Sequence, residues 1–133
     1  MDNLFIQATA KSPAIELDSL TGNLKIKGRL IPEDSDKFWI PVQNWVENYA
    51  KQPAAKTSFV FDIEYMNITS SKYILNCLYA LNEVFLKEQN IEVIWRFKEG
   101  DVDVKEIGED FAFMVKIPFE FCPYSEVEFA MAM

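Results

Sequence analysis

Residues Thr57–Met66 set Phe59, Phe61, Ile63 and Tyr65 along one side of an extended chain, an apolar residue at every second position. Val60 falls on the opposite side, which predicts partial burial of both faces and a central place in a sheet. Directly behind, from about Ser70 to Gln89, Ile74, Leu78, Leu81 and Phe85 recur at i, i+4, i+7 and i+11, the stripe of an amphipathic helix. A buried strand that feeds a helix needs a crossover, not a hairpin. The chain is thereby restricted to folds in which a parallel sheet carries helices.

The flanking segments agree with this frame. Ala14–Asp18 reads as a short strand, Ser19–Asn23 as a turn, and Leu24–Leu30 as its partner, with Leu24, Ile26 and Gly28 alternating with Lys25, Lys27 and Arg29. Leu4–Ala8 is a candidate for one more N-terminal strand. Pro32 and its neighbours break the strand, and Asp34 and Ser35 supply helix-start chemistry. Phe38, Val42, Trp45, Val46 and Tyr49 then define one apolar face; Pro41 inside that pattern means a helix that begins near it or kinks there. Ile91–Phe97 is a strand, and Asp101 or Asp103 can cap a third helix whose inner face is Val104, Ile107, Phe111 and Met114 or Val115. Lys116–Cys122 returns as the last strand.

The order β-β-α-β-α-β-α-β predicts one α/β domain over residues 1–123, a mixed, mostly parallel sheet of four to six strands with about three helices. Residues 124–133 form a tail too brief to assign, where fraying is expected.

Composition narrows the chemistry. The 133 residues include no histidine, which removes the commonest general base, Ser-His and Cys-His nucleophiles, and the usual zinc ligands. Cys77 and Cys122 are far apart and read as reduced packing residues. A formal net charge of -8 disfavours nucleic acid, no apolar run reaches the ~20 residues of a membrane span, and the acidic N-terminus is unlike a signal peptide. These features predict a cytoplasmic protein without cofactor or metal that works by binding other proteins. The acids Asp101, Asp103, Glu106, Glu109 and Asp110 read as helix-start and solvated-face residues, not a metal cluster. Trp45 and Trp95 read as core, whereas Trp39, off the apolar stripe, is the candidate for an exposed contact.

The run Asn67-Ile68-Thr69-Ser70-Ser71-Lys72 joins the central strand to its helix. Three hydroxyl residues exceed the one that an N-cap requires, and no acid stands where a capping box needs it. Taken alone, the cluster reads as capping and turn chemistry, with Lys72 a solvated first-turn residue. The alternative is a regulatory phosphate, which backbone N–H groups and the positive end of the helix dipole suit, with Lys72 in reach of it.

Beyond these local readings, the chain resembles the SiaC family of bacterial regulatory phosphoproteins, which have a STAS-like fold related to SpoIIAA-type anti-sigma-factor antagonists. The resemblance runs through Ala8-Thr9, Ser12-Pro13, Gly28-Arg29, Ile31-Pro32-Glu33, Phe38, Pro41, Trp45, Tyr49, Glu64-Tyr65-Met66-Asn67, Ser70-Ser71-Lys72, Trp95, Asp101-Val102-Asp103, Gly108-Glu109-Asp110 and Pro118-Phe119. It implies a non-enzymatic adaptor: a cognate Ser/Thr kinase phosphorylates the junction, a PP2C-type phosphatase reverses it, and the unphosphorylated form activates a GGDEF-type diguanylate cyclase, linking it to cyclic di-GMP and biofilm control. The alternative it implies is an anti-sigma-factor antagonist in a partner-switching system. The family commonly has threonine directly after the asparagine; here that position is Ile68. The acceptor is therefore expected at Thr69, with Ser70 as second choice, or the switch is lost and binding is constitutive. Asn67, Ser71, Lys72, Trp39 and Glu33 are the expected partner contacts.

Overall fold

In the computed structural model, residues 1–88 and 90–125 are described. They form β1 (Leu4–Ile6), β2 (Ala14–Leu17), β3 (Asn23–Leu30), α1 (Ser35–Lys51), β4 (Thr57–Met66), α2 (Ile68–Glu88), β5 (Ile91–Lys98), α3 (Val102–Met114) and β6 (Phe119–Tyr124). The six strands make one sheet in the order β1-β2-β3-β4-β5-β6. β1, β2 and β3 pair antiparallel, and β3 through β6 pair parallel, as the helical crossovers require. Gln89 and residues 126–133, most of the expected tail, lie outside the described residues.

Right-handed crossovers that always step to the next strand put their helices on one face. The contacts agree: Tyr49 of α1 bonds Thr57 of β4, and Trp95 of β5 donates to the Val104 carbonyl of α3 at 3.0 Å. Under the helices, Leu24, Phe59, Val93 and Phe119 form one row across the sheet, and Ile26, Phe61, Trp95 and Phe121 the next. Phe59 and Phe61 stack with ring centroids 4.3 Å apart, and Phe111 of α3 meets Trp95 edge-on. Burying each such side chain contributes about 1.5–3 kcal/mol. This is the core.

No described helix covers the opposite face, so the double burial expected of a central strand is met only halfway. Lys25, Val60 and Ile94 lie there half-buried, beside an Arg96–Asp62 pair at 3.5 Å. Arg96 also lies over the Tyr124 ring. Tyr65, expected on the inner face, is 55% exposed. The parallel register slips between Gly28 and Arg29, a bulge that Gly28 permits with φ 127, and the end of β4 turns out of the packed layer.

α1 begins well before Pro41. Asp34 caps it, its side chain accepting from the Lys37 amide at 3.1 Å. Pro41 sits in the second turn on the exposed side, where its missing N–H leaves one carbonyl to solvent. Trp45 and Trp95 are core residues as expected. Cys77 is fully buried, and burial, aided by the charge of Glu47, pushes its thiol up to about 12.

Gly108 of α3 lies against the Trp95 indole: a Cβ there would come within 2.5 Å of Nε1. Trp95 is fully buried and cannot give way cheaply. Gly108→Ala is expected to cost about 1–3 kcal/mol by overpacking despite the better helix propensity of alanine, read from the urea midpoint.

Candidate functional site: the strand-to-helix junction

Three connections lie side by side at the carboxyl ends of the parallel strands. The Ile31 amide bonds the Lys11 carbonyl at 2.9 Å, and the Asn67 amide bonds the Leu30 carbonyl at 3.1 Å. Asn67 then turns the chain into α2. Its side-chain oxygen accepts from the Ser70 amide at 2.8 Å, and its carbonyl accepts from the Ser71 amide at 3.1 Å. Asn67 is therefore the N-cap, and the helix starts at Ile68, earlier than the hydroxyl cluster suggests. None of the three hydroxyls is used as the cap.

Each hydroxyl has a different fate. Ser70 is fully buried, and its oxygen accepts the Trp39 indole N–H at 2.9 Å. Trp39 is thus a core residue and not the exposed contact expected, and Ser70 is enclosed with its oxygen engaged. The reason is shared. An indole can be buried only when its N–H finds an acceptor, and Ser70 supplies one. α1 accordingly turns Trp39, not Phe38, most deeply inward, and Phe38 is half-buried. The Ser71 hydroxyl donates back to the Ile68 carbonyl at 2.6 Å. Thr69 is exposed, and its hydroxyl has no hydrogen-bond partner among the described residues.

The other expected contacts divide. Lys72 is exposed. Asn67 is half-buried with its side chain engaged in the cap. Glu33 is exposed on the neighbouring loop and pairs with Lys11 at 3.0 Å, an arrangement open to water that contributes about 0–1 kcal/mol. Between them, Pro32, Glu33, Asp34, Lys37 and Phe38 line a surface cavity of about 550 Å³ with the Thr9–Ser12 turn.

Charge is unevenly placed at this edge. α1 has Asp34 as its cap and Asp36 in its first turn, whereas α2 has no acid in its first turn. The amides of Ile68 and Thr69 have no protein partner among the described residues. The two helices are clamped along their seam. The Tyr73 hydroxyl donates to Asp36, and Asn76 donates to Gln43 at 3.3 Å. The hydrogen bond to Asp36, then burial, then the charges of Asp36 and Asp34 raise the Tyr73 phenol above its ordinary range. The acidic segment behaves as a helix start: Asp101 caps α3 through the Val104 amide at 3.1 Å. Among the described residues no group of His, Cys, Asp or Glu could hold a metal ion.

Sequence reasoning missed the seam. Asn67 does carry a legible signal, since Asn is a favoured N-cap. Trp39–Ser70 and Asp36–Tyr73 do not, because each joins residues more than thirty positions apart.

Fold and junction together define a single mixed α/β domain, six strands with three helices, whose strand-to-helix connection opens to solvent at the carboxyl edge of the sheet. The sequence profile of the SiaC family regulatory phosphoproteins matches residues 6–124. The chain belongs to the SiaC family. It is similar to the crystal structure of apo-SiaC from Pseudomonas aeruginosa, with 26% identity and a TM-score of 0.83 over 92% of this chain and 99% of that one. It is also similar to a crystal structure of the diguanylate cyclase SiaD in complex with its activator SiaC from the same organism, with 25% identity and a TM-score of 0.83 over 91% of this chain and 99% of that one. An uncharacterized protein of Pseudomonas aeruginosa strain UCBPP-PA14 is 26% identical over 126 residues, 95% of this chain and 100% of the relative.

Ser70→Ala is expected to cost about 1–3 kcal/mol by leaving the Trp39 N–H buried without an acceptor, and clearly less in a Trp39→Phe background. Asn67→Ala is expected to cost about 1 kcal/mol and Asn67→Asp much less, since aspartate also caps. Urea denaturation of these variants and of the Trp39→Phe background reads both.

Proposed function

We propose that this protein is a non-enzymatic signalling adaptor whose partner binding is set by phosphorylation of Thr69, and that the partner is a GGDEF-type diguanylate cyclase. One observation carries the reading. Of three adjacent hydroxyls, the local packing frees Thr69 alone, in the first turn of a helix whose leading amides are unpartnered. A phosphoryl group there adds roughly -1.5 to -2 charge at the positive end of α2 without disturbing the core. Exposed Ile68 and Tyr65 flank the position, so the same modification changes the polarity of an apolar contact surface. A structure of a family member bound to a diguanylate cyclase that it activates supports the choice of partner. In this reading a cognate Ser/Thr kinase adds the phosphate, a PP2C-type phosphatase removes it, and the exchange takes place in the cytoplasm. Lys72, exposed one turn along, pairs with the phosphate.

Incubation with the cognate kinase and ATP, followed by mass-spectrometric mapping, is expected to place phosphate on Thr69 and none on Ser70. Thr69→Ala is expected to abolish incorporation; phosphate retained in that variant removes the site assignment. The unmodified protein is expected to recover a GGDEF-type cyclase in a pull-down, with affinity at least about tenfold lower after phosphorylation, a difference of ~1.4 kcal/mol. Recovery of no such cyclase would sink the partner assignment.

A further inference from the structure

The seam between α1 and α2 has a property that neither helix has alone. Ser70, Tyr73 and Asn76 all reach α1, to Trp39, Asp36 and Gln43. These contacts define which side of α2 faces α1. Thr69 precedes Tyr73 by four positions, so the two side chains are neighbours one helical turn apart, about 5–6 Å between Cβ atoms. Thr69 thus stands at the mouth of the seam, on the side where the acidic first turn of α1 lies. Asp34 and Asp36 are both close enough to act on the Tyr73 hydroxyl.

We propose that Asp36 is the internal sensor of this switch: phosphate on Thr69 repels the Asp36 carboxylate, breaks its hydrogen bond with Tyr73 and frees the first turn of α1 from α2. The inference rests on Thr69 being the modified residue. The physical balance is direct. Thr69 and Asp36 both flank Tyr73, and like charges on two sides of one tyrosine at a half-wet surface repel by more than thermal energy, enough to compete with one exposed hydrogen bond. Lys72 and Lys37 are the nearest cations in sequence, both exposed. Lys72 can neutralise one unit of a phosphate that carries nearly two, and Asp36 meets the remainder. The turn that is freed contains Asp34, Lys37 and Phe38, which wall the cavity beside the Thr9–Ser12 turn. Modification at one connection thereby reshapes the surface of the next.

Genetic encoding of phosphothreonine at position 69 tests the device without kinase or partner, so its result is independent of whether the proposed kinase reaction or cyclase is correct. Hydrogen exchange at the Phe38 and Trp39 amides is expected to quicken at least about tenfold in the phosphorylated form, with little change in α3. Asp36→Asn keeps an oxygen for Tyr73 and removes the charge, and in it phosphothreonine is expected to quicken exchange less than about twofold. Unmodified Tyr73→Phe is expected to reproduce the fast exchange. Unchanged exchange on phosphorylation, an undiminished response in Asp36→Asn, or unaltered exchange in Tyr73→Phe would each overturn the proposal.

Discussion

The hydrogen bond from the Trp39 indole to the Ser70 hydroxyl fixes how the first turn of α2 is rotated. With Ser70 held inward, helical geometry places Thr69 about 100° round, in solvent, and leaves Tyr73 beside α1. The bond is buried, so it cannot be exchanged for water without loss, and it joins the two helices at their common edge. Asn67 adds the second constraint by capping α2 and holding the Leu30 carbonyl. What the junction presents outward is settled by what it has been made to bury.

The secondary-structure order was legible because it rests on period. The alternation in Thr57–Met66 and the stripe from Ile74 to Leu81 are local statements, and the sheet follows from them once crossovers are handed. The ends of elements were less legible. The three hydroxyls after Ile68 look like capping chemistry, yet the asparagine before them does the capping. Trp39 misled for a different reason. Adjacent residues on a helix straddle any stripe, and the choice between Phe38 and Trp39 depends on an acceptor thirty-one positions away, which no window of sequence contains. The site residues therefore divided by physics: Thr69 and Lys72 are open, while Ser70 and Trp39 are closed to any partner.

Ile68 shows how an outward-facing position at the start of a helix can vary without touching the core. At the first position of α2 it is 77% exposed and has no role in the core. A hydroxyl there or at Thr69 would face the same unpartnered amides, so the anion-favouring field belongs to the backbone and not to either side chain. The field tolerates a shift of its occupant. What changes is the neighbour: at Thr69 the occupant is one turn from Tyr73, and through it from the acidic start of α1.

The sheet order has a consequence for how the chain assembles. Every strand pairs with the strand that precedes or follows it in sequence, so no strand must be inserted between two already formed. Loop closure is then a series of short, similar steps, and the mean sequence separation of contacts stays low for a parallel sheet. Assembly can begin with β3, β4 and the helix between them and spread outward in both directions. In that order the outermost strands could join last and part first, leaving the central layer and its laced edge intact.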